Sequence, residues 1–105
     1  MKDFKNKIAV VTGGGTGMGR ELVIQLAEEG CSVAMCDVIQ ENMEETFELV
    51  TKKSPDVLVT KHVCDVSDES HVLRFKDEVL SQHETETINL LFNNAGIGGG
   101  ASFVT

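Results

Sequence analysis

Between Thr12 and Gly19 the chain reads Thr12-Gly13-Gly14-Gly15-Thr16-Gly17-Met18-Gly19, with five glycines in eight residues. A glycine-dense turn that ends a strand and opens a helix is suited to hold an anion. The glycines let the backbone approach closely, and the helix start offers N–H groups that have no partner inside the helix. On this reading Gly13 makes the turn, Gly17 leaves room for a pyrophosphate, and Gly19 lets the helix pack tightly on the strand. Gly15, Thr16 and Met18 belong to the same contact surface. The nucleoside-triphosphate loop G-x-x-x-x-G-K-[ST] runs from Gly14 to Gly19 and then meets Arg20 and Glu21, so the grip on a γ-phosphate and its Mg²⁺ is missing. The general dinucleotide spacing G-x-G-x-x-G fits in no register, because Met18, Arg20 or Leu22 stands at its third glycine. The spacing that fits is T-G-x-x-x-G-x-G. A glycine loop can also do no more than turn the chain, but its place at the first strand-to-helix junction favours a nucleotide.

Asp37 ends the second apolar run, where a dinucleotide fold reads the adenosine ribose. A carboxylate there accepts hydrogen bonds from both ribose hydroxyls and repels a 2′-phosphate. The following Val38, Ile39 and Gln40 offer no cation to such a phosphate, and Thr16 is neutral. The expected cofactor is therefore NAD, with NADP disfavoured. The plainer role for an Asp leaving a strand is a cap or solvated turn acid; the glycine loop at the right distance tips the balance to the ribose. Arg20 is read as a surface residue pointing away from the ribose.

Other chemistry-bearing residues are less informative. His62, His71 and His83 have no metal-ligand spacing near a carboxylate and read as incidental. Cys31, Cys36 and Cys64 form no C-x-x-C pair, cannot all pair with one another, and read as buried, reduced thiols of a cytoplasmic protein. A net charge of −8 disfavours nucleic acid and anionic membranes as partners. The apolar run at Ile8–Val11 is too short for a signal peptide or a membrane span.

The elements that position these residues follow from the apolar pattern. Short β-branched runs at Lys7–Thr12, Ser32–Cys36, Val57–Val63 and Ile88–Phe92 are nearly continuous, as in strands covered on both faces. Between them lie stretches with helical spacing. The first helix, about Gly17–Glu29, turns Met18, Leu22, Val23, Leu26 and Ala27 inward and ends at Gly30. The second, about Gln40–Lys53, turns Met43, Phe47 and Val50 inward, has acids early and lysines late, and stops at Ser54-Pro55. The third starts near Ser67 as N-cap and buries Val72, Phe75, Val79 and Leu80. The order β-α-β-α-β-α-β predicts an α/β fold: a Rossmann-like doubly wound parallel sheet in one compact domain over residues 1–105.

Three motifs together resemble the short-chain dehydrogenase/reductase family in its compact, non-extended subgroup. They are Thr12-Gly13-(x)₃-Gly17-Met18-Gly19, then Cys64-Asp65-Val66 after the third strand, then Asn93-Asn94-Ala95-Gly96 after the fourth. The resemblance implies that Asp65 and Val66 contact the adenine, and that Asn94, Ala95 and Gly96 line the cofactor cleft while Asn94 steadies the sheet. It implies hydride transfer between nicotinamide and a small alcohol or carbonyl substrate, usually by a homo-oligomer. Met18 replaces the family's usual Ile or Leu, and residues 83–87 replace a Gly-containing turn. The family's chemistry uses a Tyr-x-x-x-Lys pair, a Ser and an Asn; this chain contains no tyrosine. The expectation is a fragment holding the cofactor half and inactive alone. A fourth strand without a neighbour, leaving an apolar edge at Ile88–Phe92, points the same way. The alternatives are a stand-alone NAD(H)-binding module or pseudoenzyme and, more weakly, an S-adenosylmethionine-dependent methyltransferase.

Overall fold

The computed structural model describes residues 7–15, 17–83 and 88–93. Four strands and three helices alternate: β1 (Ile8–Thr12), α1 (Gly17–Glu28), β2 (Ser32–Asp37), α2 (Gln40–Lys53), β3 (Val59–Val63), α3 (Glu69–Gln82) and β4 (Leu90–Asn93). All strand pairs are parallel, in the order β3-β2-β1-β4. The crossover direction reverses at β1, whose neighbours are β2 and β4. Ligands of open α/β sheets bind at such a reversal, beyond the carboxyl ends of the strands.

The period of two along the strands divides the core. Ala9, Val11, Val33, Met35 and Val59 face α1 and α2, meeting Val23, Leu26, Ala27, Met43 and Val50. Val10, Ala34 and Cys36 face α3, meeting Val72, Phe75 and Val79. With helices on both faces the sheet is doubly wound, as the unbroken apolar runs predict for β1 and β2. β3 departs from that expectation. It starts at Val59, two residues late, and its Thr60 and Lys61 are only half-buried, because it lies at one edge of the sheet.

One helix end is as expected and another is corrected. α1 closes with Gly30 N–H on Ala27 O at 2.9 Å and Cys31 N–H on Leu26 O at 3.0 Å. That 5→2 and 6→1 pair needs a left-handed residue, and Gly30 has φ 87. At α3 the N-cap is Asp68, not Ser67: its carboxylate accepts from Ser70 N–H and His71 N–H. Ser67 is drawn off by Asp65, whose Oδ1 accepts its N–H at 3.0 Å and its hydroxyl at 2.7 Å. Met18 is also corrected. It is 72% exposed, and the buried side of α1 consists of Gly19, Val23, Leu26 and Ala27.

His62 and His83 are not incidental. Both are buried and joined through Thr60 Oγ1, which lies 2.8 Å from Nε2 of each ring. His62 Nδ1 lies 2.8 Å from Glu78 Oε1. Neutral rings complete this row in one direction. His83 Nε2–H donates to Thr60, the Thr60 hydroxyl donates to His62 Nε2, and His62 Nδ1–H donates to Glu78. His83 Nδ1 is left as a buried atom with no hydrogen-bond partner among the described residues, so a proton placed there finds no acceptor among them.

Burial pushes both imidazoles below the usual histidine range; Glu78 partly offsets this for His62, and His62 adds to it for His83. The unfolded chain takes up protons near pH 6.5 while the folded chain resists them. Stability is therefore complete above that pH and falls as pH drops below it, by at most about 1.4 kcal/mol per pH unit per histidine. Thermal melts should show a lower Tm at pH 5.5 than at pH 7.5, with the difference reduced in a His62→Gln, His83→Gln variant. Equal melting temperatures for the parent chain at the two values would contradict the assignment. Asp65 and Asp68, held below the usual carboxylate range by their serine hydrogen bonds, contribute in a separate and more acidic window.

Candidate functional site

The carboxyl ends of β1, β2 and β3 meet at one edge. Gly14 N–H bonds Cys36 O at 3.0 Å, tying the glycine loop to β2, and Cys64 N–H bonds Asp37 O at 3.0 Å, tying the segment after β3 to the same strand. β4 joins from the other side: Thr12 pairs in register with Asn93, and its hydroxyl lies 3.4 Å from Phe92 O. The sheet thus brings the glycine loop, Asp37 and Asp65 together. Thr16, Asn94, Ala95 and Gly96 lie outside the described residues.

Within the loop, Gly13 and Gly17 have φ 70 and 58, the left-handed region that costs other residues about 1–2 kcal/mol. Among the described residues a Cβ built on Gly17 meets nothing within 4 Å, so the loop is open to them on that side. Gly15 is the opposite case. Its N–H donates to Asp37 Oδ2 at 3.0 Å, and a Cβ there would lie 2.7 Å from that oxygen and 2.8 Å from Asn42 Cβ. Gly15→Ala is therefore expected to push Asp37 aside and weaken dinucleotide binding by roughly tenfold, the scale of one charge-assisted hydrogen bond. An unchanged affinity in calorimetric titration would show that the Gly15–Asp37 contact does not matter to the ligand.

Asp37 is half-buried and held at both oxygens, Oδ1 accepting Ile39 N–H at 3.3 Å. Each oxygen keeps lone pairs for a further donor. Val38 and Ile39, next in the chain, are exposed apolar side chains, as is Met18 at the start of α1. Asp65 is exposed, and Val66 packs partly against the α3 side of the core. The thiols take no part. Cys31, Cys36 and Cys64 are free and buried, and burial pushes all three up, Cys31 to about 11.

Arg20 departs most from its sequence reading. It is not a free surface residue. Its Nε donates to Thr46 Oγ1 at 2.9 Å, and its Nη2 reaches Gly15 O at 2.6 Å, Asn42 O at 3.2 Å and Glu45 Oε1 at 3.0 Å. Thr46, wholly buried on α2, has one hydroxyl proton to share among Gly14 O at 3.0 Å, Gly15 O at 3.2 Å and Asn42 O, one helical turn back, at 3.2 Å. Nothing in the local pattern marks Thr46, which sits in an acid-rich helix; only its position three residues after the inward Met43 places it on the buried side.

A doubly wound parallel sheet with a glycine loop after β1 and an anchored carboxylate after β2 defines a dinucleotide-type nucleotide fold. The chain belongs to the short chain dehydrogenase family, whose model matches residues 7–105. Levodione reductase of Leifsonia aquatica is 36% identical over 96 residues, covering 91% of this chain and 35% of its own length. A crystal structure of a levodione reductase superposes with TM-score 0.84 at 36% identity, covering 90% of this chain and 36% of the other. An NAD+-bound xylitol dehydrogenase gives TM-score 0.82 at 36% identity, covering 91% and 35% of the two chains. A metagenomic short-chain oxidoreductase in complex with NADP gives 0.80 at 26%, covering 92% and 42%. This chain spans about a third of the length of the curated relatives it matches. Among the described residues no helix is long and apolar enough to cross a membrane.

Proposed function

We propose that this chain is the dinucleotide-binding part of an NAD-dependent oxidoreductase acting on a small alcohol or carbonyl substrate. The observation that carries the reading is Asp37, fixed by two backbone N–H groups beside a glycine loop that is open at Gly17. The residues present fit the cofactor. The loop and the N-terminus of α1 would take the pyrophosphate, Asp37 the ribose hydroxyls, and Asp65 with Val66 the adenine. Gly13, Gly15, Thr16, Gly17, Met18 and Gly19 would line the phosphate side, and Asn94, Ala95 and Gly96 would line the cofactor cleft. When bound, the nicotinamide supplies the hydride donor or acceptor.

Preference for NAD over NADP rests on charge. The Asp37 carboxylate would repel a 2′-phosphate, and the next three residues, Val38, Ile39 and Gln40, offer no cation to it. The chain's own contribution is binding and orientation. The family's tyrosine acid/base has no counterpart in a chain without tyrosine, so these residues alone are expected to bind and not to turn over. Free buried thiols accord with a cytoplasmic setting, and the negative charge with a small-molecule partner in place of nucleic acid.

Calorimetric titrations with NAD+, NADP+ and S-adenosylmethionine test the reading. NAD+ should bind most tightly; preference for S-adenosylmethionine, or binding of none of the three, would overturn it. A hydride-transfer assay on the same chain separates an inactive cofactor half from an active enzyme.

A further inference from the structure

We infer that Arg20 and Thr46 are positioning residues for dinucleotide selection, latching the glycine loop to α2 so that Gly15 N–H stays on the Asp37 carboxylate. The inference rests on the dinucleotide reading above and concerns how Asp37 is kept in place.

The Gly15 peptide unit and its neighbours are gripped from opposite sides. Gly15 N–H bonds Asp37 Oδ2 at 3.0 Å, while Gly15 O takes Arg20 Nη2 at 2.6 Å and the Thr46 hydroxyl at 3.2 Å. Gly14 O at 3.0 Å and Asn42 O at 3.2 Å share that same single hydroxyl proton. Through Asn42 O and Thr46, Arg20 joins α1, the loop and α2 at one point. The chemistry suits a latch. The Arg20 side chain is 24% exposed, so its bonds to carbonyls are shielded from water and charge-assisted. Its carboxylate partner Glu45 is 70% exposed, where an ion pair contributes little. The guanidinium is thus directed mainly at backbone carbonyls.

Two consequences follow. Without the latch, Gly15 is free to move and Asp37 loses one of the two N–H groups that orient it, so ribose recognition weakens. In addition, an arginine bonded to the same glycine as Asp37 is occupied by the loop and withheld from a 2′-phosphate. Arg20 would then support NAD selection even though its charge alone would favour NADP.

The test uses the full 105-residue chain. NAD+ and NADP+ are titrated separately, followed by NMR chemical shifts, which reach millimolar dissociation constants. Arg20→Met should weaken NAD+ about tenfold and NADP+ less than about threefold, narrowing the preference. In an Asp37→Ala background the same change should cost NAD+ less than about twofold, because coupled residues lose their separate effects. Thr46→Val, which keeps the side-chain shape, should reproduce the pattern at about threefold and carries the test if Arg20→Met does not fold. Equal losses for both dinucleotides, or an undiminished loss without Asp37, would reduce Arg20 to a structural role and overturn the proposal. Parent-like binding by both variants would overturn it while leaving the dinucleotide reading intact. A parent chain that binds neither dinucleotide would overturn both.

Discussion

Replacing Asp37 with alanine is expected to weaken NAD+ binding about 100-fold, the scale of two hydrogen bonds to a charged acceptor. NADP+ should lose far less, because the carboxylate that repels its 2′-phosphate goes with the mutation. Part of the effect is indirect. Gly15 N–H and Ile39 N–H both lose their acceptor, so the loop and the start of α2 relax together. The discriminating measurement is the ratio of the two dissociation constants, which should move by at least an order of magnitude. If NAD+ and NADP+ weakened in parallel, Asp37 would be a loop anchor and not a ribose receptor.

Phe75→Ala should be the most destabilising simple truncation on the α3 face. Phe75 is 1% exposed and stands among Val10, Ala34, Cys64, Val72 and Val79, its ring 5.0 Å from that of His62. Removing a buried phenyl ring typically costs about 3–5 kcal/mol, from lost transfer energy and the cavity left behind. For a chain of this size that is a large share of the usual 5–15 kcal/mol of total stability. Urea unfolding should move to a much lower midpoint, with helix α3 the first to lose amide protection. A loss below about 1 kcal/mol would mean that α3 is not held by this face.

Most of the framework was legible because it depends on local rules. Unbroken apolar runs gave β1 and β2, helical spacing gave α1 to α3, and Gly30 and Ser54-Pro55 marked helix ends that the structure keeps. The departures share a physical cause, since each depends on what the fold brings alongside. Ser67 and Asp68 are both good caps, and the choice fell to Asp68 because Asp65 claims the serine. Met18 has the spacing of a core residue, yet it stands in the first turn of α1 and is exposed. Apart from Gly15 O in the loop, the partners of Arg20 come from α2, 22 to 26 residues along the chain, and no spacing rule finds them. Thr60 and His62 alternate on one face of β3, but only the return of α3 brings Glu78 and His83 against them.

The strand order also sets a timetable. β1 lies in the interior of the sheet, but one of its two neighbours is β4: Asn89 N–H bonds Ile8 O, and Ile8 N–H bonds the Asn89 side chain across 81 residues. Until that distant segment exists, β1 has a bare edge. At translation rates of roughly 5–20 residues per second, the nascent chain would carry that edge for about 4–16 s. β1, β2 and their helices can associate early through contacts nearer in sequence, whereas closure by β4 is a long-range event of the kind that slows folding. During that interval the Ile8–Thr12 backbone is the segment most open to pairing with another chain, so a chaperone holding the emerging N-terminus would act where the topology leaves it exposed longest.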